Sequence, residues 1–260
     1  MKNGEYLQNL FGCTGRKAVV TGASSGLGVE ISRALVHAGA QVIGVARRKE
    51  QLEVLREELT NTDGDFIACV ADLSSESGID QVISDVNNIG GCDIAVANAG
   101  TADRQLLNNT NRSDFDRLIE LNVTAQWQLA KALFPMLSIG NNGRFIQIAS
   151  IYSLGASVID GLGAYTISKH ALLGLTRSLS VEWAQHGITV IAIAPGYFPT
   201  EMTESLLSHE KTSSHLLQFT PMKRFGDPTE LAPAVLFLAS LKSSYVTGSV
   251  IPIDGGWSAW

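Results

Sequence analysis

Tyr165 and Lys169 stand four residues apart in the run Tyr165-Thr166-Ile167-Ser168-Lys169. In a helix, positions i and i+4 share one face, so a phenol and an ammonium lie side by side. A free phenol titrates near pH ~10, too high for proton transfer at neutral pH, and a neighbouring positive charge lowers that value. The pair reads as a proton-transfer device, with Lys169 expected to depress the pKa of Tyr165. An amphipathic helix with a half-buried tyrosine and a surface lysine has the same spacing. The pair therefore gains meaning only from the groups that other segments bring to it.

One such segment is Thr21-Gly22-Ala23-Ser24-Ser25-Gly26-Leu27-Gly28. It follows an apolar run, Arg16 to Thr21, that reads as a strand. It precedes apolar residues at Leu27, Ile31, Ala34, Leu35 and Ala38, which keep a helical period. The glycines therefore fall in a strand-to-helix turn. There, free N–H groups and the positive end of the helix dipole suit a pyrophosphate, and glycines let the backbone approach it closely.

The spacing Gly-x-x-x-Gly-x-Gly ahead of Tyr-x-x-x-Lys resembles the short-chain dehydrogenase/reductase family, in its classical form. Further motifs follow in that family's order from about Leu10 onward. Asp72-Leu73 stands where the family contacts the adenine. Asn98-Ala99-Gly100 matches its Asn-Asn-Ala-Gly, with Ala97 in place of the first asparagine. Asn122 and Ser150 match its catalytic asparagine and serine. Pro195, Gly196 and Thr200 match the loop that holds the nicotinamide carboxamide, and Asp254-Gly255-Gly256 closes the chain.

The resemblance implies a ketone–alcohol oxidoreductase. Tyr165 is then the acid in reduction and the base in oxidation. Lys169 also holds the nicotinamide ribose, Ser150 steadies the substrate oxygen, and Asn122 holds a water leading from Lys169 to solvent. The separation of Ser150 from Tyr165 is longer than the family pattern, so Ser153 is a rival for the serine role. The cofactor-binding set is Gly22, Ser24, Ser25, Gly26, Leu27, Gly28, Arg47, Arg48, Asp72, Leu73, Asn98, Ala99, Gly100, Tyr165, Lys169, Pro195, Gly196 and Thr200. After the second strand, an acidic residue accepts the ribose hydroxyls of NAD and repels a 2′-phosphate. Here that position holds Ala46, followed by Arg47 and Arg48. A guanidinium with Ser24 and Ser25 nearby favours NADP(H).

The stretches Pro195 to Thr203 and Arg224 to Pro228 look like the gluconate 5-dehydrogenase and 2-deoxygluconate 3-dehydrogenase branch. The implied substrate is a keto sugar acid, ketose or polyol. A 3-oxoacyl-(acyl-carrier-protein) reductase or a broad carbonyl reductase is the alternative. A nucleotide-binding regulator without turnover, or a structural oligomer, is disfavoured by the intact set Asn122, Ser150, Tyr165 and Lys169.

Positioning these groups falls to alternating strands and helices. Strands are expected at 41–45, 66–70, 94–97, 145–148, 188–193 and 249–253. Helices are expected at 50–59, 76–86, 163–185 and 228–238, with a long one capped by Ser113 and running to Leu137. This alternation predicts an α/β fold: one domain, 1–260, with a Rossmann-type doubly wound parallel sheet and helices on both faces. Ligands bind at the carboxyl ends of such strands, where Asp72, Asn98, Ser150 and Pro195 converge. Residues 201–226 interrupt the pattern with mixed polarity and read as a small helical lid over the substrate.

The chain has 260 residues, enough for one large core, and a net charge of -6 that disfavours nucleic acid and anionic membranes as partners. No apolar run approaches the ~20 residues that span a bilayer, and no secretory signal is expected. Cys13, Cys69 and Cys92 lack paired spacing and are expected to be reduced thiols in a cytoplasmic protein. The five histidines show no metal-ligand spacing, so no metal is expected. Leu118, Leu121, Trp127, Leu129 and Leu133, with Leu172, Leu175, Leu179 and Trp183, spread over more than one helix face. Much of this set must pack on the sheet; the remainder, with Trp257 and Trp260, leads to the expectation of a homotetramer.

Overall fold

Seven runs of β-branched and small apolar residues pair into one parallel sheet in a computed structural model that describes residues 3–259. The strands are β1 (Lys17–Thr21), β2 (Gln41–Ala46), β3 (Asp65–Val70), β4 (Ile94–Ala97), β5 (Arg144–Ile148), β6 (Thr189–Pro195) and β7 (Val250–Ile253). They lie side by side in the order β3-β2-β1-β4-β5-β6-β7. Every residue of β4, β5 and β6 is buried, as sheets covered on both faces require.

The helices are α1 (Asn3–Phe11), α2 (Leu27–His37), α3 (Lys49–Glu58), α4 (Glu76–Asn88), α5 (Arg112–Ile119), α6 (Ala125–Leu137), α7 (Gly163–Trp183), α8 (Glu204–Leu207), α9 (Glu210–Phe219) and α10 (Ala232–Ala239). Alternate strand residues feed opposite layers. Val20, Val42, Val96 and Ile146 meet Ile31 and Leu35 of α2, Leu52 of α3 and Val235 of α10 on one face. Val19, Ile43, Ala95 and Phe145 meet Val82 of α4, Leu129 and Leu133 of α6 and Trp183 of α7 on the other. The chain winds outward from β1 to β3, then restarts at β4 on the other side of β1. That reversal opens a crevice at the carboxyl ends of β1 and β4.

Several boundaries differ from expectation. The helix assigned to Ser113 begins at Arg112, and its cap is Asn111, whose side chain accepts the Asp114 N–H at 2.9 Å. Ser113 only supports that cap, donating its hydroxyl to Asn111 Oδ1 at 2.7 Å. The helix is also not continuous. A π-helical turn at Glu120–Thr124 separates α5 from α6. Such turns widen a helix by one residue and often occur at functional positions. The last core helix starts as a 3₁₀ turn, Pro228–Leu231, under a capping box of Asp227 and Glu230, and passes into α10. Helix α1 was not expected. It rests against the end of α10, where the Ser240 hydroxyl bonds the Leu10 carbonyl.

Residues 201–226 hold two short helices, α8 and α9. Leu216 of α9 is buried in a satellite cluster with Tyr152, Ile159, Leu162 and Tyr197. No described helix is long and apolar enough to cross a membrane.

Much of the apolar set on α5, α6 and α7 packs inside the subunit, and a remainder stays exposed. Leu129, Leu133, Leu179 and Trp183 are buried in the core layer against the sheet, and Leu118 and Leu172 are buried as well. Trp127 is 47% exposed, and Ile167 and Val181 of α7 are exposed too. Trp257 packs on Tyr197 and Phe219, with ring centroids 5.4 and 5.8 Å apart. Trp260 lies outside the described residues. The three cysteines are free and buried.

Candidate active site

The crevice is a cavity of about 560 Å³ at the carboxyl ends of the strands. Of the residues singled out by sequence, all but Gly28, Asn122 and the rival serine Ser153 line it. Gly28 is excluded because it is packed against the loop itself. A Cβ there would lie 2.1 Å from the Gly22 carbonyl oxygen, so only glycine lets the turn close. Gly26 has φ +56°, and a Cβ on it would meet the Thr200 side chain at 3.0 Å. The chain leading into segment 201–226 thus sits directly on the glycine loop. Thr21 holds the crevice together from behind. Its hydroxyl accepts the N–H groups of Asn98 and Ala99, both at 2.9 Å, and its carbonyl accepts the Asn98 amide at 2.8 Å.

At the end of β2, Arg48 turns towards the glycine loop. Its Nε donates to Ser24 Oγ at 3.3 Å and its Nη1 to Glu201 Oε1 at 2.9 Å. Arg47 is exposed, and its charge helps hold the Asp72 carboxyl below the usual range, after the larger effect of two hydrogen bonds from Ser74. Leu73, Ala99, Pro195 and Gly196 complete the cavity walls.

Tyr165 and Lys169 share one face of α7, as their spacing requires. Lys169 is 4% exposed and donates to the carbonyl of Ile148, the last residue of β5, at 2.9 Å. Its Nζ lies 5.6 Å from the centroid of the Tyr165 ring. Burial pushes the lysine down to about 8. The expected depression of Tyr165 is not found. Burial raises it to about 12, against a lowering by the Ser150 hydroxyl, and Tyr152 raises it further. The physical reason is geometric: the ammonium faces the ring and a backbone carbonyl, while the phenol itself is desolvated. At neutral pH Tyr165 is therefore fully protonated, which suits a proton donor.

Ser150 lies two residues past β5 in extended backbone, and its Oγ accepts the Tyr152 N–H at 3.1 Å. It lines the cavity, whereas Ser153 does not; Ser153 Oγ is buried without a hydrogen-bond partner. Asn122 sits in the π-helical turn, fully buried. Its Oδ1 accepts the Thr101 N–H at 2.8 Å, and its Nδ2 donates to the Thr101 carbonyl at 2.9 Å and Ser168 Oγ at 3.0 Å. Asn122 thus ties the loop after β4 to α7 from behind the cavity.

Four contributors escaped the sequence reading. Thr21 is the brace described above. Tyr152 and Tyr197 join hydroxyl to hydroxyl beside the site, and the Tyr152 ring stands edge-on to Tyr165 at 6.4 Å. Glu201 begins the segment 201–226 and lines the cavity. All lie within or next to quoted motifs, so proximity was the signal, but only folding shows which way they face.

The fold and site define a dinucleotide-binding α/β protein with a tyrosine–lysine pair at the sheet's switch point. A sequence model of the family described as enoyl-(acyl carrier protein) reductase matches residues 22–258, and the chain belongs to the short-chain dehydrogenase/reductase family. It is 34% identical over 249 residues to gluconate 5-dehydrogenase of Gluconobacter oxydans, covering 95% of this chain and 96% of that protein. It is 35% identical over 243 residues to a 3-oxoacyl-[acyl-carrier-protein] reductase of Rickettsia typhi, covering 94% of this chain and 97% of that one. A gluconate 5-dehydrogenase from Burkholderia cenocepacia, solved with NADP and tartrate, superposes with a TM-score of 0.90 at 29% identity, covering 98% of this chain and 99% of that one.

Proposed function

We propose that this protein is an NADP(H)-dependent oxidoreductase that interconverts a ketone and a secondary alcohol on a keto sugar acid, ketose or polyol. The observation that carries the reading is the convergence of the glycine loop, Ser150, Tyr165 and Lys169 on one cavity. The residues present fit the cofactor. The loop has the close approach that a pyrophosphate needs, Arg47, Arg48, Ser24 and Ser25 suit a 2′-phosphate, and no carboxylate stands at Ala46. The glycine loop, Asp72, Leu73, Asn98, Ala99, Gly100, Pro195, Gly196 and Thr200 would hold the remainder. The bound cofactor supplies the hydride.

The chain's own groups manage the proton. Tyr165, protonated at neutral pH, donates to the carbonyl oxygen in reduction. The Ser150 hydroxyl steadies that oxygen, and the Lys169 ammonium stabilises the phenolate left behind. Asn122 is a positioning residue that fixes the loop after β4 against α7. The segment 201–226 acts as a lid within a single catalytic domain.

The sugar-acid reading is supported by the gluconate 5-dehydrogenase relatives, at 34% identity for that of Gluconobacter oxydans. A second reading, 3-oxoacyl-(acyl-carrier-protein) reductase, rests on the Rickettsia relative.

NADPH oxidation with keto sugar acids, ketoses, a 3-oxoacyl thioester and an aryl ketone separates them. Highest kcat/KM on keto sugar acids supports the first reading. Highest kcat/KM on the thioester replaces it with the second, and no turnover with any carbonyl refutes both. A cytoplasmic homotetramer completes the reading, with exposed Trp127, Ile167 and Val181 as its apolar contact surface. A monomeric mass by light scattering at micromolar concentration overturns the tetramer.

A further inference from the structure

The acidic residue that discriminates between dinucleotides usually follows the second strand, and here that position is Ala46. A carboxylate nevertheless reaches the same corner of the cavity from elsewhere. Glu201 follows β6 and begins the lid, 153 residues from Arg48 in sequence. Its Oε1 accepts from Arg48 Nη1 at 2.9 Å, and both residues line the cavity. Arg48 in turn reaches Ser24 Oγ at 3.3 Å. The Glu201 carboxyl is held below its usual range by Arg48 first and also by a hydrogen bond from Ser25, so it stays ionised at neutral pH. Arg48, Ser24 and Ser25 are the groups that the NADP(H) reading assigns to the 2′-phosphate. A native carboxylate already occupies two of them, Arg48 and Ser25.

We propose that Glu201 is a specificity-determining residue: its carboxylate competes with the 2′-phosphate of the cofactor for Arg48 and Ser25, and so sets the margin by which the site prefers NADP(H) over NAD(H). The inference rests on the NADP(H) reading above. The side chains of Arg48 and Glu201 are 40% and 59% exposed. An ion pair so open to water is weak. A phosphate, with charge near −2 and three acceptor oxygens, makes stronger charge-assisted bonds to the same guanidinium and hydroxyl. It therefore displaces the carboxylate, but only after breaking the ion pair and against repulsion from Glu201. A nucleotide without the 2′-phosphate meets no such opposition. Glu201 thus narrows a preference that Arg47 and Arg48 create.

The test uses nucleotides that differ only in that phosphate and needs no turnover. The probes are adenosine 2′,5′-bisphosphate and adenosine 5′-phosphate, titrated calorimetrically into wild type, Glu201→Gln, Arg48→Ala and the double variant. Glu201→Gln keeps the size of the side chain and removes its charge. The expected result is a gain of about two- to five-fold in affinity for the bisphosphate, the range of an exposed ion pair, with the monophosphate unchanged. The gain should shrink as salt is raised. In the Arg48→Ala background, the same change should give a smaller gain, because the group competed for is gone. An unchanged bisphosphate affinity in Glu201→Gln overturns the proposal. So does an equal loss for both nucleotides, which would make the ion pair a clasp over the cofactor. If wild type binds both probes equally, the NADP(H) reading fails and the proposal fails with it. That outcome is distinct, because it appears before any variant is made.

Discussion

Lys169 and Arg144 are both buried cations, and both lie against β5, at opposite ends. Lys169 bonds the carbonyl of Ile148, where the strand finishes. Arg144 starts the strand and donates to the carbonyls of Gly143 at 2.9 Å, Ser240 at 3.1 Å and Leu241 at 3.5 Å. Neither takes part in an ion pair among the described residues. Burial lowers both, Lys169 to about 8 and Arg144 to about 10, the latter with help from the charge of Arg16. By pKa alone the two look equally functional. What separates them is their surroundings. Ser240 caps the end of α10, so Arg144 neutralises a negative helix terminus, and Arg16 reinforces the seam through the carbonyls of Asp93 and Asn142. Lys169 borders the cavity with a tyrosine one turn away. A buried, shifted cation marks a site only when something titratable and an open volume face it.

The largest test of this contrast is Tyr165→Phe. Removing only the hydroxyl should lower turnover by roughly 10²–10⁴ and leave nucleotide binding nearly unchanged. Turnover like wild type would remove Tyr165 from the chemistry. Lys169→Met should reduce turnover and cofactor affinity together. Lys169→Arg sharpens the point. Carbonyl reduction in wild type should decline as pH rises through about 8, where Lys169 loses its proton. A guanidinium stays charged there, so the decline should vanish in Lys169→Arg whatever the absolute rate. The same shift acts on stability. The unfolded lysine titrates near 10.5 and the folded one near 8, so between those values the unfolded chain binds more protons. The destabilising effect of Lys169 is therefore fully present below about 8 and fades as pH rises to 10.5. Lys169→Met should lose that pH dependence of the unfolding midpoint.

Arg144→Met tests the other end of the strand. It removes one charge-assisted donor each from the carbonyls of Gly143 and Ser240, which keep the Thr189 N–H and the Ser243 hydroxyl, so the loss is that of hydrogen bonds to a charged group, at about 1.5–3 kcal/mol each. Denaturant midpoints should fall, while kcat per folded molecule stays near wild type. A loss of kcat at an unchanged midpoint would break the comparison, because Arg144 would then act at the site.

The contrast also marks what the sequence discloses. Strand β4 was placed to the residue, and the other strands to within two residues at either end, since fully buried parallel strands are short apolar runs between turns. The site was legible where a motif shapes the cavity with its backbone, as in the glycine loop and the Pro195-Gly196 turn. It was less legible where a side chain's direction decides the role. Tyr165 was found, but its pKa shift was read with the wrong sign, because spacing says nothing of desolvation or of the carbonyl that captures Lys169. Asn122 was found, but not the π-helical turn that aims it. Arg144 drew no notice at all, because an arginine before a strand is usually solvated.

The smallest effects belong to Arg47 and Arg48, cations that water still reaches. Ion pairs this exposed add little to folding, so Arg47→Ala and Arg48→Ala should leave the midpoint within about 0.5 kcal/mol of wild type. Their role is to meet a ligand charge. Arg47 has no carboxylate partner of its own among the described ion pairs, whereas Arg48 is already engaged by Glu201. Arg47→Ala should therefore weaken NADPH by about 10- to 100-fold, the worth of a charge-assisted bond, and leave NADH little changed. Arg48→Ala should weaken NADPH less, because part of its attraction is cancelled by Glu201. Ala46→Asp adds a carboxylate that repels the 2′-phosphate and accepts the ribose hydroxyls of NADH, so with Arg47→Ala it should reverse the preference. Kinetics with both cofactors decide the matter. If wild type prefers NADH, the arginines are surface cations at a helix start, and exposure in this corner of the cavity has no more meaning than burial has at Arg144.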